Sequence, residues 1–213
     1  GKWRLPVLTG IITAPTLRPD SSILSDPGYD AETGLLFVPG NTRFPTVPLR
    51  LTRAQAVKAL VLLEELLRTF PFVGEADRSV MVAAILTASI RRSLRTAPLF
   101  GFTAPAAGSG KSMLVDLISI ITTGREASVI AQGKTAEEFE KRLGSLLLSG
   151  DQVIAIDNCE APLSSELLCS MLTQQTVRPR ILGRSEAPEL PSTALVTATG
   201  NNLVLVGDLT RRS

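Results

Sequence analysis

Leu99-Phe-Gly-Phe-Thr103, then Ala104, then Pro105-Ala-Ala-Gly-Ser-Gly-Lys-Ser112 is the stretch that decides the fold. A β-forming apolar run leads into a Gly-rich turn, and the turn opens an apolar helix from Lys111 to Thr123 that Gly124 closes. Strand, Gly-rich turn and helix in this order are the context that a phosphate-binding loop needs. Gly108 and Gly110 let backbone N–H groups converge on phosphate oxygens, and the helix N-terminus adds its dipole. Lys111 supplies a point charge and Ser112 offers a hydroxyl to Mg²⁺. Proline stands at 105 where the pattern has glycine, so the turn must begin at a φ of about −65°. Pro105, Ala106, Ala107, Gly108, Ser109, Gly110, Lys111, Ser112 and Met113 are therefore the expected nucleotide-binding positions.

Strand and helix patterns alternate onward from this loop. Strands are expected at residues 127–131, 152–157 and 194–199, and helices at 135–149 and 164–176, the first opened by a capping box, Thr135-Ala-Glu-Glu138. The alternation predicts an α/β core over residues 98–213, with a parallel sheet flanked by helices. Ahead of it, residues 51–97 read as a helical extension. One amphipathic helix there starts at Thr52-Arg-Ala-Gln55, with Ala56, Ala59, Leu60, Leu63, Leu66, Leu67 and Phe70 on its apolar face. A second, over residues 77–95, is apolar around most of its circumference, which predicts burial between other elements. Its basic end, Arg91, Arg92 and Arg95, suits the helix dipole. Residues 1–50 hold half of the 14 prolines and read as an irregular β-hairpin lead-in around runs such as Gly10-Ile-Ile-Thr13 and Leu35-Leu-Phe-Val38.

The composition excludes several classes. With 213 residues, 44% hydrophobic and 20% charged, the chain can bury a sizeable core, and its longest uncharged apolar stretch, residues 79–90, is too short to span a membrane. No histidine is present, so histidine-based triads and mixed Cys/His zinc sites are ruled out. Cys159 and Cys169 are expected to be small buried hydrophobes in a reducing, cytoplasmic setting. The net charge of +2 selects no partner, although 17 of the 22 basic residues are arginine, the side chain suited to phosphate recognition. The chain opens on Gly1 and closes on Thr210-Arg-Arg-Ser213, as a piece of a longer polypeptide with further domains would.

Two more strands deliver polar groups at their ends. Val153-Ile-Ala-Ile-Asp157 ends in a carboxylate on what is expected to be a strand neighbouring the loop strand, so Asp157, with Ser112, is the expected metal ligand. Asn158 and Cys159 intervene before the next acid, Glu160, which is the candidate water-activating base. Ala194-Leu-Val-Thr-Ala-Thr-Gly-Asn-Asn202 ends in amides, and Gly207-Asp-Leu-Thr-Arg-Arg212 follows.

Phosphate loop, Asp-ended strand, Asn-ended strand and arginine pair together resemble the AAA+ P-loop ATPase core. They most resemble the superfamily 3 helicases of viruses, phages and plasmids, over roughly residues 99–212, with the upstream part like the lead-in of mobile-element primase-helicases. The resemblance implies ATP and Mg²⁺ as ligands, and Asn201, with Asn202 as the alternate, as the residue holding the attacking water or γ-phosphate. It implies Arg211 or Arg212 as an arginine finger acting on a neighbouring subunit, and hence a ring-forming homo-oligomer. Residues 177–190 read as a hairpin, for which the resemblance implies contact with DNA through Arg184, supported by Arg178 or Arg180. The expected function is ATP hydrolysis coupled to DNA handling in replication of a mobile element. An ATP-sensing regulator or scaffold that does not translocate on DNA is the alternative.

Overall fold

A computed structural model describes residues 5–48, 50–133, 135–179 and 188–213. The N-terminal part contains β1 (Gly10–Ile12), β2 (Thr16–Leu17), β3 (Ile23–Leu24), β4 (Gly28–Asp30) and β5 (Leu35–Phe37). The two runs singled out in the sequence do not form one hairpin: β1 and β5 pair in parallel, with Gly10 opposite Leu35, while β4 returns antiparallel to β5 and β2 pairs with β3. Ile12, Leu24, Leu35 and Phe37 bury together as a small core of their own. Arg18 binds Asp30 at 2.9 Å, and that contact, with the Thr33 hydroxyl, holds the Asp30 carboxyl down at about 2.

Helix α1 (Arg53–Leu66) begins on the expected capping box, Gln55 N–H donating to Thr52 Oγ1 and Thr52 N–H donating to Gln55 Oε1. Its apolar face is largely uncovered: no residue within the helix is buried. Only Leu63, Leu67 and Phe70 reach the core, while Leu60 and Leu66 remain exposed, because no described element packs over that side. Helix α2 runs Glu75–Ile90, starting earlier and ending sooner than expected. It buries Met81, Val82, Ala84 and Ile85, packs against α3, and leaves Val80 and Leu86 half exposed, so it is buried on one side and not all round. A 3₁₀ turn, Arg91–Ser93, follows.

Arg91, expected in the basic last turn of this helix, lies beyond its end and is buried, at 3% exposure. Its Nε donates to the Ala194 carbonyl (3.0 Å), Nη2 to Ser192 (2.6 Å) and Nη1 to Leu94 (3.1 Å). Burial, and secondarily Arg92, pulls its guanidinium down to about 10, which still leaves it charged at neutral pH. The side chain clasps the chain just before it enters the core sheet.

The core comprises β6 (Phe100–Ala104), α3 (Lys111–Thr123), β7 (Ser128–Ala131), α4 (Ala136–Ser149), β8 (Val153–Asp157), α5 (Glu166–Thr173), β9 (Thr176–Val177), β10 (Leu190–Pro191) and β11 (Leu195–Asn201). Four strands form a parallel sheet in the order β6-β11-β8-β7 with helices packed on it, which is the expected α/β architecture. The loop strand and the acid strand are not neighbours, however; β11 lies between them and pairs with both. That placement follows from burial: every residue from Leu195 to Gly200 is buried, as a central parallel strand requires. Helix α5 stops at Thr173, short of the expected 176, because Thr176 and Val177 pair with Leu190 and Pro191 in a short antiparallel ladder. Among the described residues no helix is long and apolar enough to cross a membrane.

Candidate functional site

Parallel strands all point their C-terminal ends the same way, so the groups at the ends of β6, β8 and β11 gather at one rim of the sheet. Between β6 and α3 the chain turns through Gly108 (φ +72°) and Gly110 (φ +87°), left-handed conformations that favour glycine. Gly110 caps α3, and Lys111 and Ser112 form its first turn.

Lys111 Nζ donates to the Ala106 carbonyl (3.1 Å), to Ser109 Oγ (3.0 Å) and, across 90 residues of sequence, to Asn201 Oδ1 (2.8 Å). Ser112 Oγ donates to Asp157 Oδ1 (3.1 Å). The same carboxylate oxygen accepts from Thr199 Oγ1, while Oδ2 has no hydrogen-bond partner among the described residues. Four positions expected from the sequence, two at a helix start and two at strand ends, are thus joined in two pairs by direct hydrogen bonds. Asp157 and Ser112 are adjacent hard oxygen donors, and two protein oxygens are what Mg²⁺ commonly takes when phosphates and waters complete its shell.

Thr199 was not expected at the site. Its hydroxyl donates to Asp157 and accepts from Asn158 N–H (3.0 Å), and its carbonyl accepts from Cys159 N–H (2.8 Å). The signal available for it was the pair Thr197 and Thr199 inside an otherwise apolar strand, since a buried hydroxyl needs a partner. Past β8 the chain turns at Asn158 (φ +52°), whose side-chain amide donates to Glu160 Oε1 (2.9 Å) and holds that exposed carboxylate. Gly200 makes this turn possible: a Cβ there would stand 2.8 Å from the Cys159 carbonyl oxygen. Cys159 itself is buried, with burial and Asp157 pushing its thiol up to about 11, and burial raises Cys169 as well, in keeping with packing roles for both.

The arginine pair separates. Arg212 is tied within the chain, Nη1 donating to the Cys169 carbonyl (2.9 Å) and Nη2 reaching Asp208 Oδ2 (3.3 Å), whereas Arg211 is exposed and has no ion-pair partner among the described residues. Arg178 stands at the stem of the β9–β10 ladder and pairs with Glu189 at 2.8 Å. Arg180 and Arg184 lie outside the described residues. Asn202, the alternate amide, has φ +56° and donates its N–H to the Ala104 carbonyl (3.2 Å), tying the end of β11 to the start of the loop.

Beside Lys111 opens an apolar cleft of about 260 Å³, lined by Phe70, Phe72, Met81, Phe102 and Leu114, with the Asp77 carboxylate at its edge. Phe70 and Phe72 flank Pro71 with ring centroids 6.2 Å apart, and the Arg78 guanidinium covers the Phe72 ring at 5.5 Å.

No protein-family model matches the chain, and no curated protein is significantly similar to it. Among solved structures it is similar to one described as "The A form apo structure of NrS-1 C terminal region-CTR", at 15% identity and a TM-score of 0.49, over 99% of this chain and 47% of that one. The chain thus spans about half the length of that structure.

Proposed function

We propose that the chain is the nucleotide-binding and hydrolysing module of an ATP-driven DNA-handling protein of a mobile element. The observation that carries this reading is the joining of Lys111 to Asn201 and of Ser112 to Asp157 at one rim of a parallel sheet. A flexible ammonium, a hydroxyl, a carboxylate and an amide converging on a glycine-lined helix N-terminus suit a polyphosphate. Ser112 and Asp157 would hold Mg²⁺, which supplies charge neutralisation on the bound phosphates. Lys111 counters the remaining phosphate charge, and Asn201 orients the group being attacked. Glu160, held by Asn158, accepts the proton of the attacking water. The apolar cleft of Phe70, Phe72 and Phe102 next to Lys111 would take the base.

Of the two arginines, Arg211 is the one free to reach a neighbouring subunit, so the finger role of a ring assembly falls to it. The DNA-handling part of the proposal rests on the sequence resemblance. One observation favours an ATP-sensing regulator instead: Arg178 is already neutralised by Glu189. DNA-stimulated turnover by the full-length assembly would separate the two.

A metal ligand and a base fail differently. Glu160→Gln should keep ATP bound while turnover falls by about 10²-fold or more. Phosphate release by the assembled protein, with ATP binding measured in parallel, checks this. Hydrolysis at the parental rate would show that the base lies elsewhere.

A further inference from the structure

At the opposite end of the sheet lies a second concentration of positive charge. Arg92, next to the clasping Arg91, has five N–H donors, yet its only hydrogen bond among the described residues is a long one, Nη1 to Thr193 Oγ1 at 3.5 Å. Its Nε is buried without any partner, and no carboxylate stands within ion-pair distance among the described residues. Burial pulls this guanidinium below its ordinary value. The group lies against Gly10, where a Cβ would come within 2.5 Å of Nη1, so a larger residue there would push the guanidinium aside. It lines a cleft of about 530 Å³ together with exposed Arg125, which is also unpaired among the described residues. Among the described residues that line the cleft the one acid, Asp151, already accepts from the Ser128 and Ser149 hydroxyls. Buried donors left without acceptors are rare, and a cation without a counter-charge in such a place calls for an anion.

We propose that this cleft, between β1 and the segment entering β11, is a second binding site, for a phosphoryl group, with Arg92 and Arg125 as charged donors and Thr193 as a hydroxyl donor. A tetrahedral phosphoryl presents enough oxygens to meet two guanidinium forks and a hydroxyl at once, whereas a carboxylate has only two. The site is independent of the phosphate loop. Helix α3 runs from Lys111 to the residue before Gly124 and Arg125, which separates the two by about 20 Å. The phosphoryl can come from a small phosphorylated molecule or from the backbone of a nucleic acid.

The test uses the chain carrying Lys111→Ala, so that the loop does not compete. Inorganic phosphate and a short single-stranded oligodeoxynucleotide are titrated separately at constant chloride, following by NMR the Arg92 Nε–H resonance and the backbone amide of Thr193, the second of which also reads the Arg92→Gln variant. A saturable shift with phosphate supports the proposal and identifies a small ligand; one with the oligonucleotide alone supports it and identifies a backbone phosphodiester. Arg92→Gln should weaken the binding about tenfold or more, and Arg125→Gln, at an exposed position that leaves the packing intact, severalfold. The proposal is overturned if neither probe saturates, if Arg125→Gln binds like its parent, or if chloride reproduces the shift, which would mean an adventitious ion only.

Discussion

Lys111→Ala is expected to weaken ATP binding by roughly a hundredfold, about 3 kcal/mol, while leaving the melting temperature nearly unchanged. Among the described residues the ammonium is the only cationic group joined to the loop, where it is held by the Ala106 carbonyl, Ser109 and Asn201. Removing it leaves polyphosphate charge opposed by backbone dipoles alone on that side. The fold should tolerate the change, because all three acceptors are at or near the surface and water can replace the lost donors. Titration calorimetry on parent and variant reads the difference, and equal affinities would remove Lys111 from the site.

The second large effect concerns stability. Arg91→Leu should lower the melting temperature by roughly 10 °C, from a loss of about 3 kcal/mol at about 2–4 °C per kcal/mol for a chain of this size. Two effects compete. Leucine relieves the burial of a charge that has no acid partner among the described residues, which by itself would stabilise. It also strands the Ser192 and Ala194 carbonyls in a dry environment, at about 1–3 kcal/mol each, and leaves the guanidinium's slot unfilled. The second effect should win because the bonds to Ser192 and Ala194 fix the entry to β11, the strand that pairs with both β6 and β8. Differential scanning calorimetry decides it; a change under 2 °C would mean that the clasp contributes little.

The residues that the sequence made legible share a property: their role follows from local context. Gly108, Gly110, Lys111 and Ser112 lie in one turn between a strand and a helix, and Asp157 and Asn201 end apolar runs, so strand direction alone sends them to the same rim. What the sequence did not disclose depends on which surfaces meet. The position of β11 between β6 and β8 is a choice of neighbours that hydrophobic runs do not encode. The role of Thr199 depends on Asp157 standing beside it on the neighbouring strand. Arg91 and Arg92 fit a helix-dipole pattern; the return of residues 192–194 past α2 buries Arg91 and, together with Gly10, half-buries Arg92. The apolar face of α1 was legible, but nothing in its own periodicity says whether another element covers it.

The central claim, that the rim of Lys111, Ser112, Asp157 and Asn201 is a site for a Mg²⁺-bound nucleoside triphosphate, is tested most directly by titrating the parent chain and Asp157→Asn with ATP, each with and without Mg²⁺. The account predicts one-site binding by the parent that tightens at least tenfold with Mg²⁺, and no such tightening in Asp157→Asn. Binding that ignores Mg²⁺ in the parent, or a Mg²⁺ effect that survives the loss of the Asp157 charge, would contradict it.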